Sequence, residues 1–384
     1  MWRYCYHLIT NPGLEAVTAD EAAQRLDPQE IRIERSPGGR TGVVAIHSSR
    51  EVPADRFLPL RTIYHALEIH HSTVIPELEE PGRGEAVERV VAAAREVSFH
   101  GLDRFTPIAV RCRRRGEHAF RSPEIERALG AVLVERYATP VNLEDPAVTV
   151  RVEIQKTTVD YGILITPVEM DRRFTWLYRP RVTLSTVVAA ALLRIAGVTG
   201  VGVAGSSVGR VGGVRGADIG MGRIKGVPGA ILDPFCGSGT IPIEAAASGR
   251  RVYASDISPE AVAGTRANLS ANVLVGTTVV RRLDAVDSRR FTSAWSDRGI
   301  GTIVCNPPYG VRLGRKVDFY AFYREFLAGA AAILPTGGTL VLMSSRRRGA
   351  LNQVVVEADA WTIADVRIIE TGGVYPGIFT LRRR

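Results

Sequence analysis

The chain has 384 residues, 45% of them hydrophobic, which is more than one ordinary core accommodates and points to two or three globular domains. Its 49 basic and 40 acidic residues leave a formal charge of +9, which suits a polyanionic partner; only Lys156, Lys225 and Lys316 are lysines, so the arginine bias also fits a GC-rich genome. No apolar run is long enough to span a membrane, MWRYCYHLITNP has too short an apolar stretch for a signal peptide, and Cys5, Cys112, Cys236 and Cys305 have neither CxxC spacing nor neighbouring histidines. The expectation is a cytoplasmic protein with buried thiols, no disulfide framework and no metal.

In chain order, YCYHLIT reads as a strand, NPGLEAVTADEAAQRL as a helix behind a Pro-Gly turn, and RIERSPGGRTGVVAIH as two strands about a Ser-Pro-Gly-Gly turn. Phe57 to His70 has the period of an amphipathic helix running into a strand, and the whole of residues 1–70 makes a small α+β unit. Residues 71–168 repeat the theme. GEAVERVVAAAREV is a helix, TPIAVRCRRR a strand ending in arginines, SPEIERALGAVLVERY a helix with Ser122 as N-cap and Pro123 at its first position, and VTVRVEIQ and VDYGILIT are alternating strands. Arg111, Arg113, Arg114, Arg115 and Arg121 therefore gather where a strand leads into a helix start, so that guanidinium groups and free helix amides suit a phosphate; some of them solvate a strand end on the blander reading.

Residues 169–184, with EMDRRFTWLYRPR, read as an irregular, basic and aromatic linker, and LSTVVAAALLRIAG as the helix that opens a domain over 185–384. The glycine-dense segment 197–229 has no periodicity and reads as a flexible surface loop, an insertion rather than a catalytic lid. From Ala230 short apolar strands alternate with helices, the signature of a parallel sheet covered on both faces, and two long strands about GGVYPG close it as an antiparallel pair.

In such a sheet ligands sit beyond the carboxyl ends of the strands. The first end, ILDPFCGSGTIPIEAA, carries Asp233 and a Gly237-Ser238-Gly239 turn into a helix, although Pro242 stands where a dinucleotide fingerprint would have its third glycine. Asp256 ends the second strand, where a carboxylate can accept both hydroxyls of a ribose, and Asp284 ends the third, where a carboxylate can take a hydrogen bond from an adenine amine or serve only as a turn residue. The fourth end is CNPPYG. Two prolines stop any regular structure, so their rigid torsions serve another purpose: Asn306 and a fixed backbone carbonyl can accept both hydrogens of a planar exocyclic amine, and Tyr309 offers a face to stack the base that bears it.

With DPFCGSGT and NPPYG this half resembles the amino-methylating branch of the class I S-adenosylmethionine methyltransferases, and RRRGEHAFRSPEIERALGAVL resembles a THUMP domain, an RNA-binding module. Since NPGLEAVTADEAAQRL also resembles the opening of the ferredoxin-like domain that precedes THUMP, the whole chain is similar to the THUMP-containing tRNA (guanine-N2)-methyltransferases. The resemblance implies an α/β protein: a C-terminal Rossmann-like methyltransferase domain behind N-terminal α+β ferredoxin-like and THUMP domains. It implies catalytic roles for Asn306, Pro307, Pro308 and Tyr309, and S-adenosylmethionine binding by Asp233, Pro234, Gly237, Ser238, Gly239, Thr240, Asp256, Ile257, Asp284 and Ala285. RNA contacts fall to Arg111, Arg113, Arg114, Arg115, Arg121 and Arg312, with Arg315 and Lys316 as further candidates. The implied reaction methylates the exocyclic N2 amine of a guanosine in tRNA, at position six of the acceptor stem, by a monomer without metal. A ribosomal RNA guanine methyltransferase and a non-catalytic RNA-binding protein on a methyltransferase fold are the alternatives, distinguished by substrate and by S-adenosylmethionine binding.

Overall fold

In the computed structural model, which describes residues 2–27, 30–79, 83–166, 170–198, 229–308, 318–344 and 348–384, the chain divides into two units. The first comprises Met1–Thr10 and Thr18–Met170, the second Asn11–Val17 and Asp171–Arg384.

In the first unit the elements are β1 (Tyr4–Ile9), α1 (Glu15–Arg25, from Thr18 onward), β2 (Ile31–Arg35), β3 (Val43–Ser48), β4 (His65–Val74), α2 (Arg83–Arg95), β5 (Ile108–Arg115), α3 (Ser122–Tyr137), β6 (Val148–Gln155) and β7 (Thr158–Leu164). The strands form one seven-stranded sheet in the order β2-β3-β1-β4-β7-β6-β5. β5 and β6 run parallel, and α3 lies in the crossover that parallel pairing requires. Alternation fixes the faces: Val150, Val152 and Ile154 of β6 are buried against Val90 of α2 and Leu129 of α3. Residues 1–70 and 71–168 both contribute to this sheet through the β4–β7 pairing, and position 70 lies inside β4.

Two sequence expectations are corrected here. No helix forms after Phe57: Ala54–Arg56 is a 3-10 turn and the Leu60 N–H closes a further turn on the Phe57 carbonyl. Buried Phe57, Leu60 and Ile63 mimic a helical period, but Pro59 has no N–H to continue one. At α3 the N-cap is Arg121, in extended conformation, with Ser122 already helical; the Glu124 carboxylate accepts from the Arg121 N–H at 2.9 Å.

The opposite face of this sheet buries charge. Asp160 is bound by Arg40 and lies 3.3 Å from His7 Nδ1, and Glu153 is bound by Arg151 with His65 Nε2 at 3.6 Å. Burial pushes the His65 imidazole below its ordinary 6.5, Glu153 working the other way and Arg151 and Arg113 adding to the shift. The unfolded chain then takes up this proton at a higher pH than the folded one, so the contribution of neutral His65 is complete above 6.5 and declines as pH falls below it. Urea midpoints should therefore fall between about pH 7 and about pH 5, with a shallower slope in His65→Gln.

The second unit continues with α4 (Thr186–Ile195), β8 (Ala230–Asp233), α5 (Thr240–Ala247), β9 (Val252–Asp256), α6 (Pro259–Ala271), β10 (Thr278–Arg282), α7 (Ser288–Trp295), β11 (Ile300–Cys305), α8 (Phe319–Ile333), β12 (Thr339–Ser344), α9 (Arg348–Glu357), β13 (Trp361–Ile368) and β14 (Gly377–Arg383). Its sheet has the order β10-β9-β8-β11-β12-β14-β13, parallel through β12 and antiparallel over the last two strands. One face packs on Phe291, Trp295, Phe326 and Leu351 of α7, α8 and α9, the other on α4 and α5. All but the ends of the glycine-dense segment 197–229 lies outside the described residues. No described helix is long and apolar enough to cross a membrane.

Asn11–Val17 is part of this second core. Leu14 and Val17 are buried with Val188, Leu192, Ile369 and Ile378. Asn11 Nδ2 donates to the Glu370 carbonyl at 2.9 Å, and the Glu370 N–H donates to the Pro12 carbonyl at 2.9 Å. Gly13 has φ +91°, and a Cβ there would stand 2.1 Å from the Ile368 carbonyl oxygen, so the Pro-Gly turn is needed for close packing as well as for direction.

Candidate active site

The strand order reverses between β8 and β11, and this is where an open parallel sheet leaves a crevice. Asp233 ends the strand on one side of the crevice and Asn306 follows the strand on the other. β10, β9, β8 and β11 are consecutive neighbours and mutually parallel, so the residues after them share one rim. With neighbouring strands about 4.8 Å apart, that rim is about 14 Å long.

Asp233 is buried; its Oδ1 accepts from the Phe235 N–H at 3.1 Å, while Oδ2 has no hydrogen-bond partner among the described residues. Burial pushes this carboxyl well above the usual carboxylate range, and the neighbouring Asp256 adds to the rise against the Phe235 amide. A cationic or N–H donor at Oδ2 would remove that cost. Pro234 is buried behind it. The turn is left-handed at both glycines, φ +53° at Gly237 and +88° at Gly239, and Gly239 is the N-cap of α5. A Cβ on Gly239 would stand 2.9 Å from Thr265 Cγ2, which fixes glycine there. Ser238 and Thr240 are buried with their hydroxyls 3.3 Å apart.

Asp256 is half-buried, and each of its oxygens takes one backbone N–H at 2.9 Å: Oδ2 from Gly237 and Oδ1 from Ser258. A carboxylate has about four lone-pair positions, so both oxygens keep capacity for a diol. Ile257 beside it is 60% exposed, an apolar side chain with room for a flat ligand face. Asp284 Oδ1 accepts from the Val286 N–H at 3.0 Å and Ala285 is buried. The donor set is thus an orphaned buried carboxylate oxygen, a glycine turn at a helix start, a diol acceptor and a third acid along one rim. It fits a ligand carrying an ammonium group, a ribose and a base.

Asn306 is half-buried, Pro307 buried and Pro308 exposed, directly after fully buried Cys305. Tyr309, Arg312, Arg315 and Lys316 lie outside the described residues.

Sequence reasoning missed what holds the segment that leads into this domain. Residues 173–178, read as linker, are tied down within this unit: Arg173 Nε donates to buried Glu244 at 2.7 Å, and Asn268 of α6 and Asn272, its C-cap, bond the backbone of Leu177, Tyr178 and Thr175. An asparagine inside a helix and another just past its end were the available signal, since asparagine there commonly serves a partner in the backbone.

The arginines of the first unit are divided. Arg111 is turned to the Leu143 carbonyl at 2.9 Å, and Arg114 lies over Phe120 and reaches Ser122. Arg113 and Arg115 line one groove with Arg40, Thr41 and Gln155, and Arg121 is exposed at the start of α3.

A family model described as an RMKL-like methyltransferase domain matches residues 227–375, and a THUMP domain model matches residues 85–160. The chain is 32% identical over 377 residues to the tRNA (guanine(6)-N2)-methyltransferase of Thermus thermophilus, covering 97% of this chain and 98% of that one. It belongs to the THUMP-containing tRNA (guanine-N2)-methyltransferase family. To the family member named tRNA (guanine(6)-N2)-methyltransferase in Archaeoglobus fulgidus it is 25% identical over 316 residues, 76% of this chain and 73% of that one. The crystal structure of TrmN from Thermus thermophilus matches the present chain over its whole length, and is itself wholly covered, with a TM-score of 0.71 at 28% identity. The methyltransferase domain takes S-adenosylmethionine, to which the rim's donor set is suited.

Proposed function

We propose that the protein methylates the N2 amine of guanosine six in tRNA, working in the cytoplasm. The observation that carries this reading is the pairing of Asn306 with the acidic, glycine-turned rim across the β8–β11 crevice, in a chain that matches a tRNA (guanine(6)-N2)-methyltransferase along nearly its full length. Bound S-adenosylmethionine supplies an electrophilic methyl group on a sulfonium. Asp233 would take its ammonium group at the unsatisfied Oδ2, Asp256 its ribose hydroxyls, and Asp284 its adenine amine. The turn at Pro234, Gly237, Ser238, Gly239 and Thr240 would wrap the amino-acid end, with Ile257 and Ala285 flanking the adenosine.

The guanine amine is a weak nucleophile because its lone pair is delocalised into the ring. The Asn306 carboxamide oxygen and the Pro307 carbonyl would accept its two hydrogens, which orients the nitrogen and favours the positive charge that develops on it. A carboxamide is too weak a base to strip the amine first, so these groups hold it and the proton is released afterwards to water. Pro308 keeps the carbonyl rigid. An acceptor-stem base is paired, so it must be unstacked to reach the rim, and Tyr309 would replace the lost stacking.

Residues 71–168 would serve as the RNA module, with Arg113, Arg115 and Arg121 toward phosphates and Arg312 a further contact; Arg111, Arg114 and Arg115 are partly spent on their own chain, Arg115 on the Thr41 carbonyl at 3.0 Å. Affinity for tRNA should weaken steeply with salt, and Arg113→Ala should weaken it about tenfold while lowering the log–log salt slope by about one, measured by filter binding. The reaction itself is tested by nucleoside mass spectrometry on unmodified tRNA transcripts incubated with protein and S-adenosylmethionine, where N2-methylguanosine is the expected product.

A further inference from the structure

Two side chains of α6 set the orientation of the glycine turn. Thr265 Oγ1 donates to the Gly237 carbonyl at 2.9 Å and Asn268 Nδ2 donates to the Ser238 carbonyl at 2.8 Å; both residues are wholly buried. A peptide unit is planar and trans, so holding each carbonyl toward α6 turns the following N–H, of Ser238 and of Gly239, away from the helix. The Gly239 N–H closes on the Cys236 carbonyl at 2.7 Å, so the turn is fixed at both ends.

The same Asn268 carboxamide grips the segment before the domain. Its Oδ1 accepts from Leu177 N–H at 2.8 Å and Tyr178 N–H at 2.9 Å, and Nδ2 also donates to the Tyr178 carbonyl at 2.7 Å. A carboxamide has two donor hydrogens and two acceptor lone pairs, so Asn268 is fully used, by two segments that the sequence places far apart. One turn earlier the helix carries Gly264, where a Cβ would stand 2.1 Å from Tyr178 Cδ1, so the tyrosine packs against bare backbone. Burial and then the carboxylates of Glu260 and Asp256 push the Tyr178 phenol up.

We propose that Asn268 is a positioning residue for the cofactor: one carboxamide locks the backbone of Leu177 and Tyr178 to the Gly237–Ser238 turn, and so holds the turn in the orientation that faces the cofactor. This rests on the assignment of the rim to S-adenosylmethionine. Asn272 provides the comparison, because it holds Thr175 by two hydrogen bonds, at 3.0 and 2.8 Å, without a bond to the turn.

The test is calorimetric titration of S-adenosylhomocysteine into the full chain, with thermal melting of the same samples, for wild type, Asn268→Asp, Asn268→Ala and Asn272→Ala. Asn268→Asp keeps both acceptors for the strap amides and loses both donors; it should bind at least about tenfold more weakly and raise KM for S-adenosylmethionine with kcat little changed. Asn272→Ala should bind within about threefold of wild type even where its melting temperature drops as far. If Asn268→Ala does not fold, the aspartate variant alone decides. A folded Asn268→Asp protein that binds like wild type, or no more weakly than Asn272→Ala, overturns the positioning role and leaves the site intact. Wild-type protein that binds no S-adenosylhomocysteine overturns the site and this role together.

Discussion

Replacing Asn306 with alanine should lower the rate of methyl transfer by about 10²–10³-fold while leaving S-adenosylhomocysteine affinity within about threefold of wild type. The separation follows from where the residue stands. Asn306 comes after β11, across the crevice from Asp233, whereas the cofactor contacts assigned above come after β8, β9 and β10. What the variant loses is the acceptor that orients the amine and favours charge on it, and a methyl side chain offers no substitute. Single-turnover transfer of labelled methyl to tRNA reads the chemical step, and calorimetry reads the binding. Parallel losses in both would mean that Asn306 supports the rim instead of the substrate.

The second large effect concerns stability at a distance in sequence. Leu14→Ala should destabilise the methyltransferase unit by about 2–5 kcal/mol, the usual cost of emptying a leucine site in a packed core. Leu14 is wholly buried among Val188, Leu192, Ile369 and Ile378, although it stands close to the start of the chain. Tryptophan fluorescence is a suitable probe because Trp176, Trp295 and Trp361 lie in this unit. Val356→Ala, at an 80% exposed position of α9, should move the transition by less than about 0.5 kcal/mol. A Leu14→Ala protein with an unchanged transition would remove Asn11–Val17 from this core.

The catalytic half was legible because its signals are backbone necessities. Two prolines after a strand, a glycine pair before a helix, and an acid at successive strand ends have few structural uses, and the alternation from Ala230 leaves one sheet architecture. What failed to show was anything decided by partners far along the chain. Phe57, Leu60 and Ile63 carry a helix-like spacing that Pro59 forbids, because they are buried by packing with other elements. α7 buries only Phe291 and Trp295 in an otherwise polar stretch, too few positions to mark a helix beforehand. Thr265, Asn268 and Asn272 look like solvated polar residues of a helix and its C-cap until the Gly237–Ser238 turn and residues 175–178 are placed against them. The arginine cluster read as one surface, yet strand alternation sends Arg113 and Arg115 to the charged face of the sheet and Arg114 to the helix face. NPG at 11–13 read as a turn, and its second use, against Ile368 and Glu370, depends on residues more than three hundred positions away.

The claim on which the rest depends is that this chain places one methyl group on N2 of guanosine six in tRNA. The most direct measurement is mass spectrometry of nuclease fragments from an unmodified transcript carrying guanosine at position six, after reaction with the protein and S-adenosylmethionine, beside the same transcript with adenosine there. N2-methylguanosine confined to the acceptor-stem fragment of the first transcript, and absent from the second, is the expected result. Methylation at another position in both transcripts, or none while S-adenosylhomocysteine still binds, would contradict it.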